Sequence, residues 1–136
     1  MKKIFSLYFI LAFSGLFLSC DAQNGKEENS ATISEQEAVE VYYFHLTRRC
    51  ITCNAIESVT KKALTEYYGD KVQFFSYNLD KPDSKNIARK FKVSGQTLLI
   101  VGGKERINIT NEGFMHARNS PDKLKEIIKS KIDPLI

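Results

Sequence analysis

Two cysteines separated by two residues, Cys50 and Cys53, have the residue type and spacing best suited to chemistry in this chain. They follow a run of β-branched and aromatic residues, 39–46, which predicts a buried strand ending in a short polar turn. The residues after Cys50 predict a helix, which would place its sulfur at the helix N-terminus. There, unpaired backbone N–H groups and the helix dipole stabilise a thiolate. Cys53, one helical turn later, can close a disulfide with Cys50.

The Cys-x-x-Cys spacing leaves three kinds of function open. In a redox centre, Cys50 would attack the disulfide of a partner protein and Cys53 would resolve the mixed disulfide. In a metal or metalloid site, the two thiolates and His45 would bind copper, zinc or trivalent arsenic. In a non-catalytic subunit, the pair would form a structural disulfide. Metal sites usually combine two such pairs, or one pair with several histidines, whereas this chain has a single pair. We therefore favour redox chemistry.

The residues just before the cysteine pair supply charge and a titratable group. Arg48 and Arg49 directly precede Cys50, and their positive charges would favour its thiolate form. The alternative is a solvated turn, in which an arginine would attract an anionic group of the partner. His45 lies on the predicted strand and would either transfer protons at the sulfurs or be packed and hydrogen-bonded within the fold. We expect the second arrangement for His45.

The first 20 residues predict an export signal. Lys2 and Lys3 precede an apolar run, 4–18, that is shorter than the roughly 20 residues needed to span a bilayer. A small residue and then Cys20 close the segment, which resembles a bacterial lipoprotein signal in which Cys20 carries the lipid. An ordinary secretory signal with a chance cysteine is the alternative. With a lipid on Cys20, the protein would be exported and anchored to the membrane, facing the periplasm or the cell surface.

The rest of the 136-residue chain has the length of one domain. Residues 21–37 are polar and charged with few apolar side chains, which is typical of a flexible tether, and residues 38–136 carry a globular pattern. The formal net charge of +4 falls to +2 without the two lysines of the signal, and no basic stripe is present, so we expect no nucleic-acid partner. Lipidation of Cys20 would leave the domain with one cysteine pair as a self-contained redox couple in an oxidising compartment.

Strands and helices alternate along the globular part of the sequence. The run 97–101 is apolar on both faces and is therefore predicted to be a central strand. Further on, Asn-Glu-Gly at 111–113 predicts a hairpin turn, and Ser120 predicts the N-cap of the last helix. The order predicts an α/β fold with a central mixed sheet, a parallel core plus an antiparallel hairpin, flanked by helices. The predicted strands are 39–46, 72–79, 97–101, 106–110 and 114–117, and the predicted helices are 51–68, 84–91 and a last helix from 121.

The order of these elements resembles the thioredoxin fold over residues 38–136. The Cys-x-x-Cys lies where that family has its redox centre, and segments 78–80 and 91–100 resemble the stretch leading into the family's cis-proline strand. Aligned without gaps, Thr97 occupies the position of that proline. The resemblance implies that Thr97 faces the cysteine pair, where its hydroxyl would bond a thiolate or its backbone would pair with a substrate strand. We expect the Gln96–Thr97 peptide to be trans, since a non-proline cis bond costs about 3 kcal/mol.

Three features near the cysteines depart from the thioredoxin pattern, the first being Ile51-Thr52 where the family has Gly-Pro between its cysteines. Arg49 stands where the family has a tryptophan before its first cysteine. Phe44 stands where the family has a buried aspartate, six residues before that cysteine. The usual internal proton acceptor is therefore absent from its expected position.

A closer resemblance is to an exported family of nitrophenyl-compound nitroreductase subunits (ArsF-like) from Bacteroidetes-type bacteria. It is carried by residues 41–45, by Arg49 and Cys50 with Cys53, and by residues 117–121. The resemblance implies a thioredoxin-like domain, and the family name implies a nitroreductase role. The sequence shows no flavin or nicotinamide signature, so we expect no cofactor. A protein disulfide or dithiol is the expected partner.

Overall fold

The computed structural model describes residues 38–136, and the predicted signal segment, Cys20 and the tether 21–37 lie outside these residues. Within this part of the chain, no helix has the length and apolar character needed to cross a bilayer. The elements in chain order are β1 (Glu40–His45), α1 (Ile51–Tyr68), β2 (Gln73–Asn78), a 3-10 turn (Pro82–Ser84), α2 (Lys85–Phe91), β3 (Thr97–Gly102), β4 (Glu105–Asn108), α3 (Thr110–His116), α4 (Pro121–Ile132) and a final 3-10 turn (Asp133–Leu135).

The four strands form one mixed sheet in the order β2-β1-β3-β4. β1 and β2 run parallel, with Val41 opposite Phe74, and α1 forms the crossover between them. β3 lies between β1 and β4 and is antiparallel to both. The predicted mixed sheet and the central position of β3 are confirmed, and the parallel part is limited to one pair of strands.

Side chains alternate across β1, so the sheet has two buried faces. Val41 and Tyr43 point toward α1, α3 and α4, whereas Tyr42 and Phe44 point toward α2. The cluster on the α2 face is largely aromatic, while the larger cluster on the α1 face is mostly aliphatic. The larger cluster consists of Val39, Val41, Tyr43, Ile56, Val59, Ala63, Leu64, Val72, Leu98, Ile100, Ile109, Ala117, Leu124, Ile128 and Ile132.

Helix α1 begins directly after Cys50 and ends at Gly69, as predicted. Gly69 adopts a φ of +58°, a conformation that glycine reaches easily because it has no Cβ. The buried face differs in part from the expected one. Thr52 and Tyr67 were expected to be buried and are half-buried, whereas Thr60 is fully buried.

The segment after β4 differs from the prediction. Residues 111–113 predict a hairpin turn and residues 114–117 a fifth strand, but the chain forms helix α3 here, so both predictions are wrong. The helix packs Gly113 against Ile56 of α1, where a Cβ on Gly113 would lie 3.4 Å from the Ile56 side chain. Gly113 therefore lies on the buried face of a helix, at ordinary contact distance from α1, and not in a turn.

The start of α3 is set by contacts with β3. The Ile109 N–H donates to the Leu98 carbonyl at 2.9 Å, and the Leu98 N–H donates to the Thr110 hydroxyl at 2.9 Å. Ile109, Gly113 and Ala117, each four residues apart, then share the buried face of the helix. This helical spacing is present in the sequence, but the local Asn-Glu-Gly pattern favours a turn over the same residues.

The last helix, α4, begins at Pro121 as predicted, but its predicted side-chain cap is wrong. The Ser120 side chain makes no capping hydrogen bond, and the first turn is closed by the backbone, where the Lys123 N–H donates to the Ser120 carbonyl at 3.0 Å. The expected apolar face is present, with Leu124 and Ile128 fully buried. Burial of this face therefore holds α4 in place without the side-chain cap.

The Thr60 hydroxyl is a fully buried polar group that has no hydrogen-bond partner among the described residues. Burying such a hydroxyl without a partner costs about 1–3 kcal/mol. We expect Thr60→Val, which keeps the side-chain shape, to raise the free energy of unfolding by about 1 kcal/mol in chemical denaturation. Thr65→Val on the exposed side of α1 is the matched control. An equal gain at both positions, or a loss of stability at Thr60, would contradict the prediction.

Candidate functional site

The Cys50–Cys53 pair lies at the junction between β1 and α1. Cys50 is the N-cap of α1 and has an extended backbone, with φ −76° and ψ 166°. The two Cα atoms are 5.1 Å apart, within the usual range for a disulfide, and the two sulfurs are bonded. The predicted pairing is confirmed, while the catalytic role of the pair stays a prediction.

The two sulfurs differ in their exposure to solvent. Cys50 is exposed, whereas Cys53 is only 3% exposed. The Cys50 sulfur accepts a hydrogen bond from the Cys53 N–H at 3.1 Å. This N–H is one of the donors that a helix N-terminus leaves without an intrahelical partner. In the reduced pair, the same donor and the helix dipole favour a thiolate on Cys50, while Cys53 stays shielded.

The loop that leads to Cys50 is tied to the end of β2. The Thr47 N–H donates to the Asp80 carboxylate at 2.7 Å, and the Leu79 N–H donates to the His45 carbonyl at 2.8 Å. Hydrogen bonds from Thr47 hold the pKa of the Asp80 carboxyl below its usual range, so this acceptor is ionised at neutral pH. These contacts restrict where the chain can enter α1 and thereby position Cys50.

A buried tyrosine on β1 supports the first turn of α1. The Tyr43 hydroxyl donates to the Cys53 carbonyl at 3.0 Å, and Tyr43 is fully buried. Burial raises the pKa of Tyr43 to about 12, with nearby Arg49 opposing the rise and Glu57 adding to it, so the hydroxyl remains a donor even at alkaline pH where an ordinary tyrosine ionises. The sequence analysis did not identify Tyr43 as a site residue. Its strand position, on the face that meets the helix carrying Cys53, was the available indication.

Arg49 lies near the cysteine pair, but its charge is paired. Its guanidinium forms an ion pair with Glu57 of α1 and lies 5.8 Å from the centroid of the Tyr43 ring. Lys61 contacts the second Glu57 oxygen at 2.7 Å. Burial pushes the pKa of Glu57 upward, but hydrogen bonds from Lys61 and Arg49 outweigh burial and hold it below the usual range. The charge of Arg49 is therefore opposed by Glu57, and its predicted effect on the Cys50 thiolate stays a prediction.

Glu57 was missed by the sequence analysis. It lies four residues after Cys53, which places both side chains on the same side of α1. Helical spacing from the second cysteine, combined with an arginine before the first, is the sequence indication that was available. The side-chain pairing itself depends on how the loop before Cys50 folds back on the helix.

Arg48 and His45, in and before the same loop, differ in their exposure to solvent. Arg48 is exposed and makes no ion pair with any residue in 38–136, as expected for a solvated turn. His45 is half-buried, with its Nδ1 atom 2.9 Å from the Leu46 carbonyl and its ring 5.8 Å from the Tyr43 ring. The expected packed and hydrogen-bonded arrangement of His45 is therefore what the structure contains.

Thr97 is the first residue of β3 and lies opposite Phe44 of β1. Antiparallel partners share one face of a sheet, so the Thr97 side chain lies on the α2 face, away from α1. Its hydroxyl donates to the Gly95 carbonyl at 3.0 Å. The Gln96–Thr97 peptide is trans, as expected. Strand register thus places Thr97 beside Phe44, and its hydroxyl bonds the preceding turn, while its predicted contact with the cysteine pair stays a prediction.

The fold and the site together define the class of this protein. The sheet order β2-β1-β3-β4 contains one parallel pair and is flanked by helices on both faces. The Cys-x-x-Cys disulfide stands between β1 and α1, with its first cysteine at the helix N-cap. This combination is a thioredoxin-like fold.

Solved structures that are similar to this chain include two thioredoxins. Thioredoxin-2, a component of the malaria parasite protein secretion machinery, is 30% identical over 52% of this chain and 65% of that chain, with a TM-score of 0.41. Mitochondrial thioredoxin 3 from Saccharomyces cerevisiae, in its oxidised form, is 22% identical over 70% of this chain and 80% of that chain, with a TM-score of 0.46. A third structure, described as a malarial protein, is 28% identical over 69% of this chain and 97% of that chain, with a TM-score of 0.46.

The thioredoxin-like fold is identified by the strand order and by the placement of the disulfide. No protein-family model matches the chain, and no curated protein matches it.

The Tyr43 hydroxyl predicts a measurable contribution to stability. Tyr43→Phe removes the hydroxyl and keeps the aromatic ring. The buried Cys53 carbonyl then loses this donor. We expect the free energy of unfolding of the oxidised protein to fall by about 1 kcal/mol in urea denaturation. Tyr77→Phe is the control, because the Tyr77 hydroxyl makes no hydrogen bond with a described residue. Equal losses for the two variants would contradict the prediction.

Proposed function

We propose that this protein is a thiol–disulfide oxidoreductase in which Cys50 is the nucleophile and Cys53 is the resolving cysteine. The observation that carries the proposal is the unequal exposure of the two sulfurs, with Cys50 exposed at the N-cap and Cys53 at 3%. Disulfide exchange needs one accessible sulfur that is favoured as a thiolate and a second that is shielded until the first has reacted. The hydrogen bond from the Cys53 N–H to the Cys50 sulfur supports the first requirement.

The proposed exchange proceeds through two successive attacks. The Cys50 thiolate attacks one sulfur of a partner disulfide, forms a mixed disulfide and releases the other partner sulfur as a thiolate. Cys53 then loses its proton and attacks the Cys50 sulfur, and the second partner sulfur leaves as a thiolate. The pair ends as the Cys50–Cys53 disulfide, and the partner gains two electrons and, after protonation, becomes a dithiol. A dithiol on another protein reverses these steps and returns the pair to its reduced form.

Exposed apolar side chains beside Cys50 suit a polypeptide partner. Ile51, between the two cysteines, is 73% exposed, and Leu46 in the preceding loop is 42% exposed. Apolar side chains at this exposure stabilise a complex when a partner removes them from water. Arg48 is exposed in the same loop and is available to an anionic group of the partner. These features support a protein disulfide or dithiol as the substrate.

The metal-site interpretation of the cysteine pair receives no such support. Among residues 38–136, no three or more His, Cys, Asp and Glu side chains form a group arranged to hold a metal ion, so His45 does not complete a site with the two cysteines. The nitroreductase role implied by the family resemblance is not part of the proposal. A cysteine pair exchanges electrons through disulfides and does not by itself explain nitro reduction.

The two cysteines should react differently with a small aromatic disulfide, dithiobisnitrobenzoate. We use the full-length chain with Cys20→Ser, so that only Cys50 and Cys53 carry thiols. The reduced pair should release two equivalents of the coloured thiolate and end as a disulfide. Cys53→Ser should release one and remain a stable mixed disulfide, detected by mass. Cys50→Ser should react about tenfold more slowly, because Cys53 is buried.

The control for this reaction is the reduction potential of the pair, obtained by equilibration with glutathione or dithiothreitol. A value between about −270 and −120 mV is expected for a working oxidoreductase, whereas one below about −300 mV would identify a structural disulfide. Equal reactivity of the two single variants, or failure of Cys53→Ser to form a mixed disulfide, would also count against the proposal.

We further propose that the protein is exported and anchored to a membrane by a lipid on Cys20. The support comes from the sequence alone: Lys2 and Lys3, the apolar run 4–18 and the cysteine that follows it. Export would place the single cysteine pair of the domain in an oxidising compartment, where a disulfide can persist. Lipidation would remove the third cysteine from thiol chemistry.

A labelled fatty acid tests the anchor directly. Bacterial cells that express the full chain should incorporate the label into the wild-type protein, which should sediment with membranes. Cys20→Ser should lose the label and the sedimentation, whereas Cys50→Ser should keep both. A wild-type protein without label, or a labelled Cys20→Ser variant, would exclude Cys20 as the lipid site.

A further inference from the structure

The two members of the Arg49–Glu57 ion pair lie on either side of the cysteine pair in the sequence. Arg49 directly precedes Cys50, and Glu57 follows Cys53 by one turn of α1. Their side chains keep only 24% and 13% of their exposure, so water screens this pair less than it screens a surface pair. The arrangement joins the loop before the first cysteine to the helix after the second.

Two further contacts fix the members of this ion pair. Arg49 lies over the ring of Tyr43, which in turn donates its hydroxyl to the Cys53 carbonyl. Glu57 is also held by Lys61, whose side chain is 55% exposed. Arg49 is therefore prevented from turning its guanidinium freely toward the Cys50 sulfur.

We propose that Glu57 is a positioning residue that neutralises Arg49 and thereby makes the Cys50–Cys53 couple more reducing than an unpaired arginine would allow. The inference rests on the proposed oxidoreductase function and concerns the reduction potential of the Cys50–Cys53 couple. It assigns a role to two residues that do not themselves react.

The direction of the effect follows from the charge on the reduced pair. Reduction of the disulfide produces a thiolate on Cys50, and a free positive charge next to it stabilises that thiolate. A stabilised thiolate favours the reduced form, which makes the couple a better oxidant. Glu57 opposes the charge of Arg49, so it weakens this stabilisation and keeps the couple more reducing.

A double-mutant cycle on the full-length chain with Cys20→Ser tests the inference. The measurement is the ratio of dithiol to disulfide at fixed concentrations of reduced and oxidised glutathione. Glu57→Gln frees the charge of Arg49 and should raise this ratio by about three- to tenfold. Arg49→Gln leaves the carboxylate without its nearest cation and should lower the ratio by about two- to fivefold. The double variant should return to within about twofold of the parent, because the pair is then absent as a unit.

Two matched variants separate this charge effect from a general effect on α1. Glu66→Gln makes the same chemical change on the same helix, at a residue that pairs with Lys125 of α4 at 2.8 Å. It should leave the ratio within about twofold of the parent, since the Glu66 side chain is 52% exposed and lies more than three turns of α1 beyond Cys53, so solvent screens its charge from the sulfurs. Arg49→Lys keeps the positive charge and should also stay within about twofold. The unfolding midpoint of each oxidised variant verifies that it is folded.

The outcomes distinguish this inference from the proposed function. The inference is supported if Glu57→Gln and Arg49→Gln shift the dithiol-to-disulfide ratio in opposite directions and the double variant returns it to the parent value. Shifts in the same direction, or no shift in either variant, overturn the inference when the parent couple still exchanges with glutathione. If the Glu57→Gln variant is unfolded, the Arg49→Gln variant alone decides. A dithiol-to-disulfide ratio in Arg49→Gln that is equal to or above that of the parent then overturns the inference. A parent disulfide that resists reduction by these buffers overturns the oxidoreductase function itself.

Discussion

The hydrogen bond from the Tyr43 hydroxyl to the Cys53 carbonyl joins the sheet to the first turn of α1 at 3.0 Å. Its donor is fully buried on β1, and burial raises its pKa, so the donor keeps its proton even at alkaline pH where an ordinary tyrosine ionises. With the first turn held in this way, Cys53 faces the protein interior while Cys50 occupies the N-cap and faces solvent. The different roles proposed for two cysteines only three residues apart depend on this fixed geometry.

Packing on the two faces of β1 explains why the site uses Tyr43 and Glu57. Phe44, at the position of the buried aspartate in the thioredoxin pattern, points to the α2 face and lies within an aromatic cluster. Its ring centroid is 5.7 Å from that of Tyr77, and a carboxylate in this apolar setting would lack partners for its charge. The polar groups near the cysteines instead lie on the opposite face, where α1 supplies a carboxylate and β1 supplies a hydroxyl.

Much of the fold follows from short-range patterns in the sequence. The buried run of β1, the polar loop before Cys50 and the glycine that ends α1 each specify their own conformation, because neighbouring residues decide it. The same is true of the central strand β3, whose apolar side chains on both faces require cover on both sides. The segment at 111–113 shows the limit of such patterns. Its Asn-Glu-Gly sequence favours a turn locally, but the segment is helical, with Gly113 buried against Ile56, which lies far away in the chain.

For the site, the sequence by itself determined the cysteine pair, its location at a strand-to-helix junction and the positive residues beside it. Only the tertiary structure decided which charges oppose each other and where each side chain points. Arg49 and Arg48 are adjacent in sequence, yet one is paired with Glu57 and the other is exposed. Thr97 lies on the α2 face because the register of β3 against β1 places it beside Phe44. Backbone conformation depends mainly on near neighbours, whereas the electric field at a sulfur depends on groups that folding brings together from separate parts of the chain.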